Sequence, residues 1–353
     1  MPIQFQVVGM VAAALLAAAL IALVTTPVVR SLAFKMRAVD VPKDNRRMHN
    51  HPIPRMGGLA IFLGFLFSVL IFVPLTDELR GMLLGAVVIV VLGVLDDIYA
   101  LPAMPKFLVQ IGAALIAVLQ GNVITHLSNP NLFSANPIWN LGVLSIPFSV
   151  LWIVAITNAV NLIDGLDGLA CGVSAISSMT LLVIALTVSE PQVALLMAAL
   201  SGACLGFLPY NLNPAKIFMG DTGSTFLGYI LAVVSIQGLF KYATIISFAV
   251  PFLLMGLPIF DTCFAILRRV SHGQSPMAPD RGHIHHRLID MGLSQKQAVA
   301  VLYVISAILG LSAVILTTSG VAKAMLFLAS LCVAGGVAAM LFLNRVNEED
   351  SKK

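Results

Sequence analysis

Long apolar stretches follow one another along this chain, with so few polar interruptions that the interruptions carry most of the chemical information. Nearly uncharged runs occupy 5–29, 57–75, 81–95, 107–124, 141–157, 169–188, 192–208, 225–240, 242–267, 298–317 and 321–343. Each approaches the roughly 20 residues that a helix needs to cross about 30 Å of hydrocarbon. Backbone groups inside a bilayer must be satisfied within the spanning structure, and no stretch shows the two-residue alternation of a barrel strand. The pattern therefore predicts an all-α, polytopic integral membrane protein with about eleven transmembrane helices. Pro251, Gly256 and Pro258 fall inside 242–267 and predict a kinked or broken span there. With no internal repeat, low-complexity tract or separate soluble segment, residues 1–353 read as one membrane domain. Its loops on one side lie near 30–56, 96–106, 158–168, 209–224 and 268–297, with a tail at 344–353.

Composition agrees: 59% of residues are hydrophobic, 10% are charged and the mean hydropathy is +0.99, far from a soluble globular protein. Charge adds an orientation. Of the 20 Lys and Arg residues, only Arg80, Lys241 and Lys323 fall on the outer side if the N-terminus is outside and the C-terminus inside. The first run has no Lys or Arg before it and Arg30, Lys35 and Arg37 after it, which favours an uncleaved span over a signal peptide. The net charge of +4 is dispersed beside spans, which argues against nucleic-acid binding. Cys171, Cys204, Cys263 and Cys332 are far apart in apolar contexts and read as packing residues, not as a disulfide or metal set.

The polar interruptions cluster after odd-numbered spans, hence on the predicted inner face. In Asn158-Ala-Val-Asn161-Leu-Ile-Asp164-Gly-Leu-Asp167-Gly168, polar residues recur every three positions, about 300° apart on a helix, and form one winding stripe. Gly165 and Gly168 suggest a close backbone approach to a ligand, although a capped turn between helices would use the same residue types. The adjacent carboxylates Asp96 and Asp97 repel, so one should need a cation or hold a proton, as a general base or metal neighbour would. In Phe218-Met-Gly-Asp221-Thr-Gly-Ser224, a glycine-rich bend offers backbone N–H groups to phosphate and a carboxylate to Mg²⁺. In Arg281-Gly-His283-Ile-His285-His286-Arg287, a phosphate clamp fits better than zinc, because no cysteine is near and the acidic sites suit a hard cation. A basic membrane-surface loop is the plainer alternative. The same two readings apply to the loop carrying Arg46, Arg47 and Arg55.

Taken together, Pro54-Arg-Met-Gly-Gly58, Gly93-Val-Leu-Asp-Asp97, the 158–168 stretch, Phe218 to Ser224 and His283-Ile-His-His286 resemble, in order and over most of the chain, the polyprenyl-phosphate N-acetylhexosamine-1-phosphate transferase family. The resemblance implies a ten- or eleven-helix fold with a cytoplasmic Mg²⁺-dependent site, Mn²⁺ being an alternative. It also implies transfer of N-acetylglucosamine 1-phosphate from UDP-GlcNAc to undecaprenyl phosphate in a bacterial cytoplasmic membrane, as a first step of glycopolymer synthesis such as teichoic acid or O-antigen. Carried onto these positions, Asp221 would bind the metal, and Asp96 or Asp97 would deprotonate or orient the lipid phosphate. Asn158, Asn161, Asp164 and Asp167 would hold the nucleoside, with Phe218 stacked on uracil. Lys106, Arg281, His283, His285 and His286 would face phosphate oxygens, with Arg47 and Arg55 near the lipid phosphate. The compact His-Ile-His-His spacing looks more like the N-acetylglucosamine branch than the phospho-MurNAc-pentapeptide branch. The sequence leaves the oligomeric state open, with a homodimer as one option. A secondary transporter is the rival from another class; it would use intramembrane acids such as Asp261 near the midplane. The orientation has a direct check. With native cysteines removed, single cysteines near Asp97, Asp167, Ser224 and His285 should resist an impermeant thiol reagent in right-side-out cells; labelling of any one without permeabilisation breaks the one-face arrangement.

Overall fold

The computed structural model describes residues 2–41, 52–128, 138–238, 245–275 and 282–319, together with 323, 325 and 327. Its helices are α1 (Pro2–Lys35), α2 (Gly58–Phe72), α3 (Asp77–Tyr99), α4 (Ala103–Leu119), α5 (Ser145–Leu162), α6 (Leu169–Thr187), α7 (Pro191–Asn211), α8 (Gly220–Gly238), α9 (Ile245–Leu254), α10 (Gly256–Ser271), α11 (Ile284–Asp290) and α12 (Gln295–Ser319). Among the described residues, six helices are long and apolar enough to cross a membrane, and α2 and α4 are shorter apolar helices. The expected span at 242–267 is two helices, α9 and α10, broken at Met255. The expected run at 321–343 lies mostly outside the described residues. Two short antiparallel ladders complete the architecture: β1 (Val39–Asp40) pairs with β2 (Ile53–Pro54), and β3 (His126–Ser128) with β4 (Ile138–Asn140).

The hub is α8, buried on every side from Thr222 to Gly238 and packed between α3 and α5. A helix that is apolar all round belongs inside a bundle, and the few polar atoms within it are paired. Trp152 Nε1 donates to Ser235 Oγ at 3.0 Å, and Gln237 Nε2 to Asn122 Oδ1 at 2.6 Å. On the opposite flank α1 lies along α7. Lipid tails offer no hydrophobic drive between helices, so close contact depends on small residues. Gly202 and Gly206 of α7 face the backbone carbonyls of Leu15 and Ala19, and Gly64 of α2 faces that of Ala18; a Cβ at any of the three would overlap those oxygens.

Backbone crowding also sets the inner end. Gly57 N donates to Phe218 O (2.9 Å), Gly58 N to Met219 O (2.8 Å) and Phe218 N to Pro54 O (2.9 Å), which ties β2 and the start of α2 to the entry of α8. Cβ atoms at Gly58 and Gly93 would run into the backbone of Gly223 and Thr222, so α2, α3 and α8 meet with no side chain between them. Gly93→Val or Gly58→Val should therefore lower stability by about 1–3 kcal/mol or more, as overpacking does. Gly112→Ala, in open space on α4, should be neutral or gain up to about 1 kcal/mol. Thermal unfolding of the detergent-solubilised protein checks the contrast; equal effects at Gly93 and Gly112 would sink the backbone-contact explanation.

Candidate active site

Site geometry begins with Asp97. The α3 helix runs to Tyr99, past the expected end of its apolar run, so Asp96 and Asp97 occupy its final turns, and Ala100 closes it in a left-handed conformation (φ 52°). The buried Asp97 carboxylate caps α8: Oδ1 accepts from Asp221 N at 3.0 Å, and Oδ2 accepts from Thr222 N at 3.2 Å and Thr222 Oγ1 at 2.6 Å. This alters the expectation for 218–224 in one respect. The segment after Gly220 (φ 71°) is the first turn of a helix, and the N–H groups of Asp221 and Thr222, which the sequence offers to phosphate, are already taken by Asp97.

Asp96 points elsewhere. Its Oδ1 accepts from Leu101 N at 2.7 Å, and its Oδ2 accepts from Lys106 Nζ at 2.9 Å; the same ammonium donates to Asp221 Oδ2 at 3.1 Å. Of the adjacent pair, Asp96 is thus the one joined to Asp221 through a shared cation, while Asp97 holds the backbone that carries Asp221. Asn161 Nδ2 donates to Ser224 Oγ at 2.8 Å, one turn along α8.

Two cavities adjoin here. One, of about 890 Å³, is walled mainly by apolar residues of α4, α5 and α10, with Asp96, Lys106, Gln110, Asn158, Asn161 and Asp221 at its polar margin. The other, of about 320 Å³, is lined by Asp40, Arg55, Asn161, Asp164, Asp167, Asn211, Phe218, Asp221, His286 and Gln295. Asn161 and Asp221 line both. The stripe at 158–167 is consequently divided. Asn158 faces the apolar cavity and donates to Gln110 Oε1 at 2.6 Å, whereas Asp164 and Asp167 face the polar one. Asp167 Oδ2 accepts from Asn213 Nδ2 (2.9 Å) and Ala215 N (3.1 Å), fixing the 213–215 turn, and Asn213 Nδ2 also donates to Gln295 Oε1 (2.7 Å). Arg55 lines the polar cavity and not the apolar one, and among the described residues its buried Nε has no hydrogen-bond partner. Arg47 and Arg281 lie outside the described residues.

The histidines stack. His283 lies parallel to His285 (5.6 Å between ring centres, 8°), and His285 is tilted against His286 (4.3 Å, 45°), with His286 alone of the three lining the polar cavity. Gly165 is needed for this packing, since a Cβ there would strike His285 Nε2, and it also lines the polar cavity. Burial, with His286 beside it, pulls His285 down to about 4, so this ring is neutral at pH 7. Sequence reasoning missed Asp261 as a partner of this array: its Oδ2 lies 2.8 Å from His283 Nδ1. Such a pairing, 22 residues apart and beyond the end of α10, leaves no local signal. It also removes the acid that best suited a transporter.

Negative charge is in excess. Asp40, Asp164, Asp167 and Asp221 line the polar cavity with Arg55 as its one described Lys or Arg. Burial, reinforced by Asp221 and, beyond the opposing Arg55, by Asp97 and Asp167, pushes the Asp164 carboxyl up to about 7. The carboxylate oxygens of Asp96 and Asp221 that converge on one shared ammonium are donors of the kind a hard divalent cation takes, so these residues fit the metal that the family resemblance implies. Asp221, with Asp96 across the ammonium and Asn161 nearby, would hold it.

The Asp164 shift has a sign that can be checked. Between about pH 4 and 7 the folded state keeps a proton that the unfolded state releases, so acidification within that window stabilises the wild type. Asp164→Asn should therefore raise the melting temperature at about pH 8 in metal-free buffer, and the gain should fade towards pH 5. A gain that grows on acidification would contradict the assignment.

Comparison with known proteins gives the family. The model of "Glycosyl transferase family 4" matches residues 79–239. A protein of Bacillus subtilis (strain 168) named "Probable undecaprenyl-phosphate N-acetylglucosaminyl 1-phosphate transferase" is 47% identical over 84% of this chain and 82% of its own. A decaprenyl-phosphate N-acetylglucosaminephosphotransferase of Mycolicibacterium smegmatis is 37% identical over 82% and 77%. A phospho-N-acetylmuramoyl-pentapeptide-transferase of Staphylococcus aureus (strain MSSA476) is 34% identical over 73% and 83%. The matched span contains nearly all of α3, the 158–168 stretch and the capped start of α8, and with that extent of identity the chain belongs to glycosyl transferase family 4, the polyprenyl-phosphate N-acetylhexosamine-1-phosphate transferases.

Proposed function

We propose that this protein transfers N-acetylglucosamine 1-phosphate from UDP-GlcNAc to undecaprenyl phosphate, giving undecaprenyl-pyrophosphate-GlcNAc and UMP. The observation that carries the reading is the seam between the cavities: Asp221 and Asn161 line both an apolar chamber suited to an isoprenoid chain and a polar one suited to a nucleotide sugar. Two substrates of opposite polarity can meet only at such a boundary. An oxygen of the lipid phosphate attacks the β-phosphorus, the bond from that phosphorus to the bridging oxygen breaks, and UMP leaves with the electron pair.

Positioning and electrostatics supply most of the acceleration in such a transfer. Lys106 attracts the incoming lipid phosphate at the margin of the apolar chamber, and Asp96, held by Lys106 and Leu101 N, orients it or accepts its proton. The unpartnered Arg55 Nε offers a donor to the pyrophosphate. Phe218 provides an aromatic wall for uracil, with Asp164, Asp167 and His286 around the remaining polar groups. The cation assigned to Asp221 is Mg²⁺, with Mn²⁺ as an alternative, and when bound it neutralises pyrophosphate charge. Asp97 serves by holding Asp221, so both Asp97→Asn and Asp96→Asn should reduce turnover. The reading carries with it a bacterial cytoplasmic membrane, an inward-facing site and the opening membrane step of a cell-envelope glycopolymer.

UMP release by the purified protein, with a panel of UDP-sugars and undecaprenyl phosphate, tests the proposal. UDP-GlcNAc should be used and UDP-MurNAc-pentapeptide ignored; the reverse preference would overturn the donor while leaving the phosphotransfer intact. Asp221→Asn should cut turnover on the order of 10²-fold or more, with weak rescue by excess Mg²⁺. Normal activity and metal dependence in that variant would remove Asp221 from the metal site.

A further inference from the structure

Helix α10 has two working faces. Ile259, Thr262, Cys263 and Ile266, spaced as one helical stripe, line the apolar cavity. Asp261 and Arg268, two turns apart, grip the segment that leads into α11. Asp261 Oδ1 accepts from Ile284 N at 2.8 Å, Asp261 Oδ2 lies 2.8 Å from His283 Nδ1, and Arg268 Nη1 donates to Gly282 O at 2.9 Å. The contact is tight, because a Cβ at Gly282 would overlap the Arg268 guanidinium. Asp261 is 3% exposed and its histidine partner 8%, so the carboxylate has given up its water for these bonds. A buried carboxylate persists only where such partners replace solvent, and a ring N–H held by a carboxylate fixes the tautomer and the plane of an imidazole. From His283 the orientation passes through the stacked His285 to His286 on the polar cavity.

We infer that Asp261 is a positioning residue: by holding His283 and the first turn of α11 onto α10, it makes the helix that walls the acceptor's chamber set the place of His286 in the donor's chamber. The inference rests on the reading of the two cavities given under the proposed function. Asp261→Asn keeps the shape and an oxygen for Ile284 N but removes the anion that holds the imidazole.

The test is a double-variant cycle on the full-length protein in detergent, with UDP-GlcNAc and undecaprenyl phosphate. Asp261→Asn and His283→Ala should each lower kcat by about tenfold or more, the scale of lost orienting partners, with the melting temperature nearly unchanged. If Asp261 acts through His283, the double variant should be no worse than His283→Ala alone. Multiplying losses, or an Asp261→Asn enzyme within about twofold of wild type, would overturn the proposal. A second measurement needs no turnover: in a background freed of other cysteines, His286→Cys should be alkylated several-fold faster when Asp261→Asn is added, and an unchanged rate would overturn the positional claim. If the wild type uses another UDP-sugar, the cycle is run with that donor; the substrate assignment then falls while the role of Asp261 is still decided. If no UDP-sugar is used, the alkylation rates decide it alone.

Discussion

The site depends on one buried carboxylate at the start of one buried helix. Taking a carboxylate out of water is costly unless hydrogen bonds replace the water, and Asp97 receives three, two of them from the otherwise unsatisfied N–H groups at the head of α8. Its negative charge also complements the positive end of the helix dipole. This single cap fastens the last turns of α3 to the first turn of α8. It thereby fixes Asp221, the residue after the left-handed Gly220, at the distance where Lys106 can join it to Asp96. Neighbouring aspartates in the sequence thus have unlike tasks because their side chains leave α3 in different directions.

From that fixed point the charge distribution follows. Lys106 compensates Asp96 and Asp221 along the apolar chamber, whereas Arg55 faces several carboxylates in the polar one. Burial first, and the neighbouring carboxylates after it, raise the Asp164 carboxyl. A site with surplus negative charge must either take up protons or take up a cation. On the proposed function, binding an anionic pyrophosphate there calls for the cation.

Much of this was legible in the sequence, for physical reasons that also mark the limit. Apolar runs as long as a bilayer is thick announce helices whatever their neighbours do, and Pro251, Gly256 and Pro258 announced the break that separates α9 from α10. Carboxylates beside apolar runs announced chemistry, and Asp96, Lys106, Asn161, Asp164, Asp167, Phe218, Asp221 and His286 do assemble around the adjoining cavities. What could not be read were contacts between distant positions. The cap from Asp97 to Thr222 spans 125 residues, and without it the 218–224 segment reads as a bend and not as the head of a helix. Asp261 read as an isolated membrane acid because His283 comes after a helix end and a loop. Gly165 read as a place of close backbone approach, and what the sequence could not show is that His285 packs against it at the wall of the polar cavity.

The glycines that permit the cap also restrict where the site can vary. Gly58 against Gly223, Gly93 against Thr222 and Gly228 against Thr157 bring backbone onto backbone, so none of these glycines can take a side chain without moving a helix. On the proposed function, substrate choice falls to residues of the polar cavity outside these contacts: Arg55 beside the β1–β2 ladder, Gln295 at the head of α12, and His286 on the short α11. Of these, α11 is seven residues long, too short to hold its own place as a helix, and must take its position from whatever it is bonded to. It is bonded to α10, whose other face walls the apolar chamber. On the proposed function, the element that meets the sugar is thus anchored to the element that walls the lipid's chamber, and a change in donor preference should require compensating changes on α10.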